Sequence, residues 1–375
     1  MLIGVPKEIK ADEYRVAITP PVVSELVASG HKVAVETYAG QGSGIQDPEY
    51  EAAGARIAAT AEEIFETAEL IVKVKEPLAP ERKRLRRGQV LFTYLHLAAD
   101  PEQTRGLMES GVTAIAYESV TGADGRLPLL LPMSRIAGFM APQVAAHLLE
   151  RPYGGRGVLV GIPEDAPSAR VVILGGGTVG QSAARMALGM GAEVTVVARQ
   201  AKTVELLSHS FSGRVRAVQS SPEVIEELCL SADAVIGAVA VPGGIAPKLV
   251  SERIVKEMME GAVIVDVCID QGGCAETSRP TSHSQPSYMT HGVVHYCVPN
   301  MPGAVPRTST FALSNATRPF ILALANKGLH RALEEDVHLR NGLAVHDGKL
   351  TCRPVANALS LPYTPAEEAI ALKPA

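Results

Sequence analysis

The sequence contains no tryptophan, and aromatic residues make up only 4% of its 375 positions. It also lacks an excess of basic residues, since its formal net charge is -5. That balance gives no electrostatic case for nucleic-acid or anionic-membrane binding. No apolar run reaches the roughly 18 residues of a transmembrane helix, and residues 1–8 do not resemble a signal peptide. We therefore expect neither nucleic acid nor membrane as a partner.

Cysteine is also scarce, with five residues, an odd number and no C-x-x-C pair. In a long chain this pattern indicates a reducing compartment, so we expect a cytoplasmic protein. Cys268 and Cys274 are the nearest pair, but neither histidine nor a further cysteine stands beside them at zinc-ligand spacing. We expect no metal site, with this pair as the minor alternative.

Aliphatic residues are abundant, and their pattern alternates between strand-like and helix-like segments. The length suggests two domains, and the 46% hydrophobic content suffices for large cores. Alternation of this kind predicts parallel sheets covered by helices. The expected fold is α/β, with two doubly wound Rossmann-like lobes. The predicted strands are residues 2–5, 32–36, 70–75, 89–96, 112–117, 171–174, 194–198, 233–239, 262–270 and 293–298.

A glycine-rich turn follows the predicted strand 171–174. Gly175, Gly177 and Gly180 have the G-x-G-x-x-G spacing, and a helix-compatible run follows at once. Gly175 permits the tight turn, Gly177 lets a pyrophosphate approach the backbone, and Gly180 lets the helix pack on the strand. The helix N-terminus offers N–H groups to phosphates. The turn predicts a dinucleotide site, and the alternative is an ordinary glycine turn of an α/β protein.

Ligands of parallel α/β sheets bind beyond the carboxyl ends of the strands, so polar residues at those ends are candidates. The run ending in Lys75 also contains Lys73, and period-two spacing puts both on one face. Two solvated lysines are the alternative. Another run ends in His96, whose unperturbed pKa suits proton transfer, although a buried structural histidine is equally compatible.

Two further candidates follow from the same reasoning. The run 262–270 carries Asp266 in mid-strand and Asp270 at its end, before a Gly-Gly turn. Asp270 is the better candidate, and a turn-initiating aspartate is the alternative. Arg15 precedes a predicted helix start and could grip a carboxylate with two parallel hydrogen bonds. On position alone, a surface arginine is the favoured interpretation.

Taken together, these stretches resemble the alanine dehydrogenase family. The resemblance runs collinearly over nearly the whole chain. Its motifs are Arg15-Val16-Ala17, Lys73-Val74-Lys75-Glu76-Pro77, Thr93-Tyr94-Leu95-His96-Leu97-Ala98, residues 128–134, the glycine turn, residues 247–250, residues 270–274 and Asn300-Met301-Pro302-Gly303.

The resemblance implies a reversible, nicotinamide-dependent oxidative deamination of L-alanine to pyruvate and ammonia. It also implies a discontinuous substrate domain, residues 1–127 with 308–375, around an NAD(P)-binding domain, residues 128–307, in a homo-hexamer. Arg15 and Lys75 should then bind the substrate carboxylate, and His96 and Asp270 should carry the proton chemistry. The implied cofactor contacts outside the glycine turn are Ser134, Ser220, Val239, Asn300 and Met301.

One departure bears on the cofactor, which the family implies to be NAD(H) or NADP(H). An acidic residue is expected at the end of the second strand of the cofactor lobe, to bind the ribose 2′-OH. This chain has Ala198 there, followed by Arg199, which favours NADP(H) weakly. Lys202 and Arg214 could also reach a 2′-phosphate, but Arg199 is the best placed of the three. For the function as a whole, three alternatives to an alanine dehydrogenase remain open. They are a nucleotide-binding subunit of a proton-translocating transhydrogenase, a non-catalytic redox-sensing homologue, and a relative acting on another small amino acid.

Overall fold

The computed structural model describes residues 1–161, 165–241 and 244–371. The chain folds as two compact units, Met1–Met133 with Gly303–Ala375, and Ser134–Pro302. The first unit is therefore discontinuous in sequence. Within the described ranges, we find no helix that is both long and apolar enough to cross a membrane.

Short strands and helices alternate through both units. The strands are β1 Leu2–Val5, β2 Lys32–Glu36, β3 Arg56–Ala58, β4 Leu70–Val72, β5 Val90–Thr93, β6 Thr113–Ala116, β7 Arg170–Leu174, β8 Glu193–Ala198, β9 Arg216–Gln219, β10 Ala234–Gly237, β11 Val263–Asp266, β12 Ser287–Thr290, β13 Val293–Tyr296, β14 Leu343–His346 and β15 Lys349–Leu350. The helices are α1 Pro20–Ala28, α2 Asp47–Ala52, α3 Ala61–Thr67, α4 Ala79–Arg82, α5 Pro101–Ser110, α6 Leu131–Leu148, α7 Thr178–Gly189, α8 Ala201–Ser210, α9 Pro222–Ser231, α10 Glu252–Glu257, α11 Pro306–Lys327, α12 Leu329–Glu335, α13 Val337–Arg340, α14 Arg353–Leu359 and α15 Ala366–Ala371.

The first unit is built on a sheet in the order β15-β14-β6-β5-β4-β1-β2-β3. The strands from β6 to β3 run parallel, and β14 is antiparallel to both of its neighbours. Its central strands are continuous apolar runs, such as Leu70–Val72, with every residue buried. Such runs are typical of a parallel sheet covered on both faces.

The second unit is built on a sheet in the order β12-β13-β11-β10-β7-β8-β9. Strand β12 is antiparallel to β13, and the other pairs are parallel. In both units the six parallel strands have the spatial order 3-2-1-4-5-6 of dinucleotide-binding sheets. The direction of strand connection therefore reverses beside β1 in one unit and beside β7 in the other, which is where such sheets bind ligands.

The predicted fold class is confirmed, since both units are doubly wound α/β. Several predicted strands are too long, however. Strand β4 ends at Val72, so Lys73 and Lys75 lie beyond the sheet and do not alternate on one of its faces. Strand β11 ends at Asp266, which is therefore terminal and not mid-strand, and a 3-10 turn, Val267–Gln271, carries Asp270.

Candidate active site

The carboxyl ends of neighbouring strands in the first unit bring four candidate side chains to one edge of the sheet. Arg15 lies in the segment after β1, Lys75 follows β4, His96 follows β5, and Glu118 follows β6. The sequence predicted the first three. It missed Glu118, although the predicted strand 112–117 ends one residue earlier, and that strand end was the available signal.

Arg15 is held by a buried ion pair with Glu13. Its Nε and Nη2 atoms donate to the two Glu13 carboxylate oxygens at 2.6 and 2.5 Å, and its backbone N–H donates to Oε1 at 3.1 Å. Both side chains are 1% exposed. Burial alone would raise the pKa of Glu13, but the hydrogen bonds and charge of Arg15 outweigh it and lower that pKa. Arg15 is therefore a fixed, fully charged group, and not a surface arginine.

Helix α11 fixes the segment that carries Arg15. The backbone N–H of Val16 donates to Thr310 Oγ1 at 3.1 Å, and that of Thr19 donates to Ser314 Oγ at 3.0 Å. Thr310 and Ser314 are both fully buried. Arg15 also lines a cavity of about 340 Å³ in this unit, next to Glu8 and Glu13. The helix thus sets the position of a cation at the cavity wall.

The two lysines after β4 have different surroundings. Lys73 is 1% exposed, and its Nζ lies 3.0 Å from Glu8 Oε2 and 2.7 Å from Glu81 Oε1. Two carboxylates therefore already neutralise Lys73. Burial and the nearby Arg15 charge lower the pKa of Lys75. The charges of Lys75 and Arg15 therefore lie near one another, an arrangement that can attract an anion.

His96 leaves the sheet in a left-handed backbone conformation, with φ of 50°. Its backbone N–H donates to Glu118 Oε1 at 2.6 Å, and its Nδ1 lies 3.9 Å from the same oxygen. The ring stacks on Tyr94 with centroids 5.9 Å apart, and the side chain is 51% exposed. A half-exposed ring beside a carboxylate can exchange protons with a ligand, so it is not a buried structural histidine.

We expect Glu13→Gln to lower the free energy of unfolding by about 3–5 kcal/mol, because it leaves a buried guanidinium without its carboxylate. The pKa of Glu13 is lowered in the folded state, so its contribution is present above the pKa of the unfolded chain and is lost as the pH falls through the folded value. Denaturant unfolding at pH 7 and at acid pH measures both effects. The control is exposed Glu51→Gln, and a loss below about 1 kcal/mol at pH 7 would contradict the assignment.

In the second unit, the glycine turn joins β7 to α7 with the geometry that a phosphate requires. Gly175 has φ of 120°, and a Cβ there would lie 2.5 Å from the Ala238 carbonyl oxygen. A Cβ on Gly180 would lie 1.8 Å from the Gly175 carbonyl oxygen, so the helix packs on the turn at a distance only glycine allows. A Cβ on Gly177 would meet no atom within 4 Å, so this backbone faces open space at the helix N-terminus.

A pocket of about 520 Å³ opens at this turn and extends over the carboxyl ends of β8, β9 and β10. Seven predicted cofactor residues line it: Ser134, Gly175, Gly177, Ala198, Arg199, Ser220 and Val239. Gln200, the N-cap residue of α8, and Thr203, in its first turn, also line the pocket. The sequence did not predict these two, although both stand at the start of the helix after β8. The pocket and the open backbone at Gly177 fit the pyrophosphate and ribose of a dinucleotide.

The remaining predicted residues of this unit lie outside that pocket wall. Asp270 is exposed in its 3-10 turn, whereas Asp266 is 1% exposed and accepts from the backbone N–H of Cys274 at 2.8 Å. Asn300, with φ of 58°, and Met301, which is 3% exposed, follow β13. Asp270 is therefore the aspartate that a ligand can reach.

The strand order and the glycine turn with its pocket define a dinucleotide-binding protein of the Rossmann class. Two family models cover most of the chain. The model of the alanine dehydrogenase/PNT N-terminal domain matches residues 4–137, and the model of the alanine dehydrogenase/PNT C-terminal domain matches residues 141–353. The chain belongs to the alanine dehydrogenase family.

Individual relatives agree with the family models. An alanine dehydrogenase of Halomonas elongata is 55% identical over 99% of this chain and 100% of its own, and that of Bacillus subtilis is 51% identical over 99% and 98%. A solved L-alanine dehydrogenase superposes with a TM-score of 0.94 at 50% identity, covering 96% of this chain and 99% of its own. A solved transhydrogenase from Sinorhizobium meliloti superposes with a TM-score of 0.84 at 25% identity, covering 94% of this chain and 100% of its own.

These comparisons confirm the predicted family. They also confirm the predicted enzyme class, a nicotinamide-dependent oxidoreductase acting on a CH–NH2 group.

Proposed function

We propose that this protein catalyses the reversible oxidative deamination of L-alanine to pyruvate and ammonia, with NAD(H) or NADP(H) as the hydride carrier. The observation that carries the proposal is the pair of cations, Arg15 and Lys75, at the same sheet edge as the half-exposed His96. Residues 1–127 and 308–375 form the substrate domain, and residues 128–307 form the dinucleotide domain. We infer a homo-hexamer of L-alanine catabolism by analogy with the family, and a cytoplasmic location from the low, odd number of cysteines.

The chemistry assigns a role to each group. Arg15 and Lys75 bind the carboxylate and fix Cα, which lowers the entropic barrier. A dinucleotide held by the glycine turn would supply the acceptor for the hydride that leaves Cα. Loss of that hydride and an amine proton gives an imine, to which water adds before ammonia leaves. His96 and Asp270 move the protons between amine, hydroxyl and water.

The residues proposed to hold the dinucleotide belong to the second unit. Gly175, Gly177 and Gly180 shape the turn that accepts the pyrophosphate at the N-terminus of α7. The remaining contacts proposed are Ser134, Ala198, Arg199, Ser220, Val239, Asn300 and Met301.

The enzyme is proposed to accept NADP(H) at least as well as NAD(H). Ala198 ends β8 and is 3% exposed, whereas Arg199 is exposed at the pocket wall. A carboxylate at position 198 would bind a ribose 2′-OH and repel a 2′-phosphate, and alanine does neither. A hydrogen bond from Arg199 to that phosphate contributes about 1.5–3 kcal/mol, or roughly 10- to 150-fold in affinity.

The ratio of kcat/KM for NADPH to that for NADH tests this proposal. We expect a ratio near or above one in the wild type, a fall of roughly 10-fold or more in Arg199→Ala, and a collapse in Ala198→Asp. Lys202→Ala, which removes an exposed cation of α8, is the matched control and should leave the ratio unchanged. A wild-type ratio below about 0.01 that Arg199→Ala does not alter would contradict the proposal.

The activity itself is tested by incubating the protein with L-alanine and either NAD or NADP and following the absorbance of the reduced nicotinamide. An L-alanine-dependent increase supports the proposal. A panel of small amino acids distinguishes an alanine enzyme from a relative with another substrate. No turnover with any amino acid, combined with tight NAD(H) binding, would favour the transhydrogenase-subunit or redox-sensing alternative.

A further inference from the structure

We propose that Asp266, Cys268 and Cys274 form a binding site for one thiophilic divalent cation, such as Zn²⁺ or Cd²⁺. One ligand atom from each side chain lies within 4.8 Å of the other two, and all three residues are buried. Metal–ligand bonds of about 2.1–2.3 Å separate tetrahedral ligands by roughly 3.5–3.8 Å. The three ligand atoms can therefore close on one ion by small side-chain rotations.

The backbone brings the two cysteines together. Strand β11 ends at Asp266, and the 3-10 turn Val267–Gln271 carries the chain away from the sheet. Gly272 and Gly273, with φ of 91° and 76°, then reverse its direction, and the Gly273 N–H donates to the Cys268 carbonyl at 3.1 Å. Cys274 thus returns to the level of Cys268. A turn of this kind depends on glycine, since other residues rarely adopt those φ angles.

The two carboxylate oxygens of Asp266 have different partners. Oδ2 accepts from the backbone N–H groups of Cys274 at 2.8 Å and Ala275 at 3.3 Å, and from Ser278 Oγ at 2.6 Å. Oδ1 accepts from the thiol of Cys268 at 3.0 Å. Oδ2 therefore anchors the carboxylate, while Oδ1 faces a proton that a metal ion can replace.

Gly237 leaves room beside two of the three ligand atoms. It pairs with Asp266 in the parallel register of β10 and β11. A Cβ at position 237 would lie 2.5 Å from Cys274 Sγ and 2.9 Å from Asp266 Oδ1. Any residue but glycine would occupy the space in which these ligand atoms meet.

The chemistry of the ligand set favours a soft cation. A thiophilic cation displaces both thiol protons to solvent, forms two metal–sulfur bonds and gains the carboxylate as a third ligand. Zn²⁺ and Cd²⁺ suit this set better than Mg²⁺ or Ca²⁺, which prefer oxygen ligands.

The full-length protein, reduced and freed of metal with a chelator, is titrated with Cd²⁺ while thiolate-to-metal charge-transfer absorption is followed in the ultraviolet. We expect one equivalent to bind, with competition from Zn²⁺ and none from Mg²⁺. Cys268→Ser and Cys274→Ser should each weaken Cd²⁺ binding by about 10- to 100-fold or more. Cys229→Ser is the matched control, because Cys229 is a fully buried thiol of the same unit outside the cluster, and it should bind Cd²⁺ like the wild type.

Circular dichroism verifies that each serine variant is folded. Absence of the charge-transfer band in the folded wild type would overturn the proposal. Equal Cd²⁺ binding by the wild type and by a folded Cys268→Ser/Cys274→Ser double variant would also overturn it, as would loss of binding in Cys229→Ser. None of these results depends on the proposed deaminase activity, because metal binding is the only readout.

Discussion

Replacement of His96 by asparagine is expected to lower kcat in both directions by about 10²–10⁴-fold, the usual contribution of a general acid–base group. Asparagine is the informative substitution because position 96 has φ of 50°, a conformation that asparagine adopts more readily than alanine. His96→Asn therefore removes the imidazole ring with little backbone strain. Steady-state kinetics with pyruvate and ammonia, and with L-alanine, measure the loss, while dinucleotide affinity should be unchanged.

His147→Asn is the matched control for this experiment. His147 is also half-exposed, and its Nδ1 lies 3.7 Å from a glutamate oxygen, that of Glu150. We expect its replacement to leave kcat unchanged. If folded His96→Asn keeps more than about a tenth of the wild-type kcat, His96 does not act as a proton carrier.

Lys75→Ala is expected to reduce kcat/KM for pyruvate by about 30-fold or more, with little change in dinucleotide affinity. The reason is the loss of one partner of a desolvated charge pair, which typically costs roughly 2–5 kcal/mol. The lowered pKa of Lys75 adds a pH dependence. Lys75 loses its charge at a lower pH than an ordinary lysine does. As the pH is raised, KM for pyruvate should therefore begin to increase at a lower pH than it would with an ordinary lysine at this position. Kinetics over a pH series measure both effects.

Lys73 and Lys83 provide the comparison. Exposed Lys83→Ala should leave the kinetics unchanged. Lys73→Ala should lower thermal stability instead, because it leaves Glu8 and Glu81 buried without their cation, at a cost of about 3–5 kcal/mol. Near wild-type kinetics in Lys75→Ala, together with a stable but inactive Lys73→Ala protein, would show that Lys73 is the substrate ligand.

The parts of the fold that could be predicted are those encoded locally. The glycine turn depends on residues within six consecutive positions, so its strand, turn and helix were recognisable without tertiary information. The length of β4 could not be predicted in this way. The predicted strand continued to Lys75 because the pattern alternates, but β4 ends at Val72, and Glu8, 66 residues before Val74, accepts from the Val74 N–H at 2.7 Å. No local pattern contains that contact.

In the candidate site, too, locally encoded features could be predicted and contacts between distant residues could not. Arg15, Lys75 and His96 were identified by type, by position at strand ends and by the family motifs. The carboxylates that contact these side chains were not predicted, although Glu13 lies only two residues from Arg15. Pairing of that carboxylate with Arg15 depends on helix α11, whose Thr310 holds the Val16 backbone from almost 300 positions away. The proximity of Cys268 and Cys274 likewise depends on two glycines with positive φ and on a neighbouring strand.

The central claim, that the protein transfers a hydride from Cα of L-alanine to a nicotinamide, is tested most directly with L-alanine that carries deuterium on Cα. The reduced dinucleotide is isolated after turnover and examined by NMR and mass spectrometry, and pyruvate and ammonia are measured in the same sample. We predict one deuterium in each reduced nicotinamide, and one pyruvate and one ammonia for each dinucleotide reduced. Reduced dinucleotide without deuterium, or no L-alanine-dependent reduction at all, would contradict the claim.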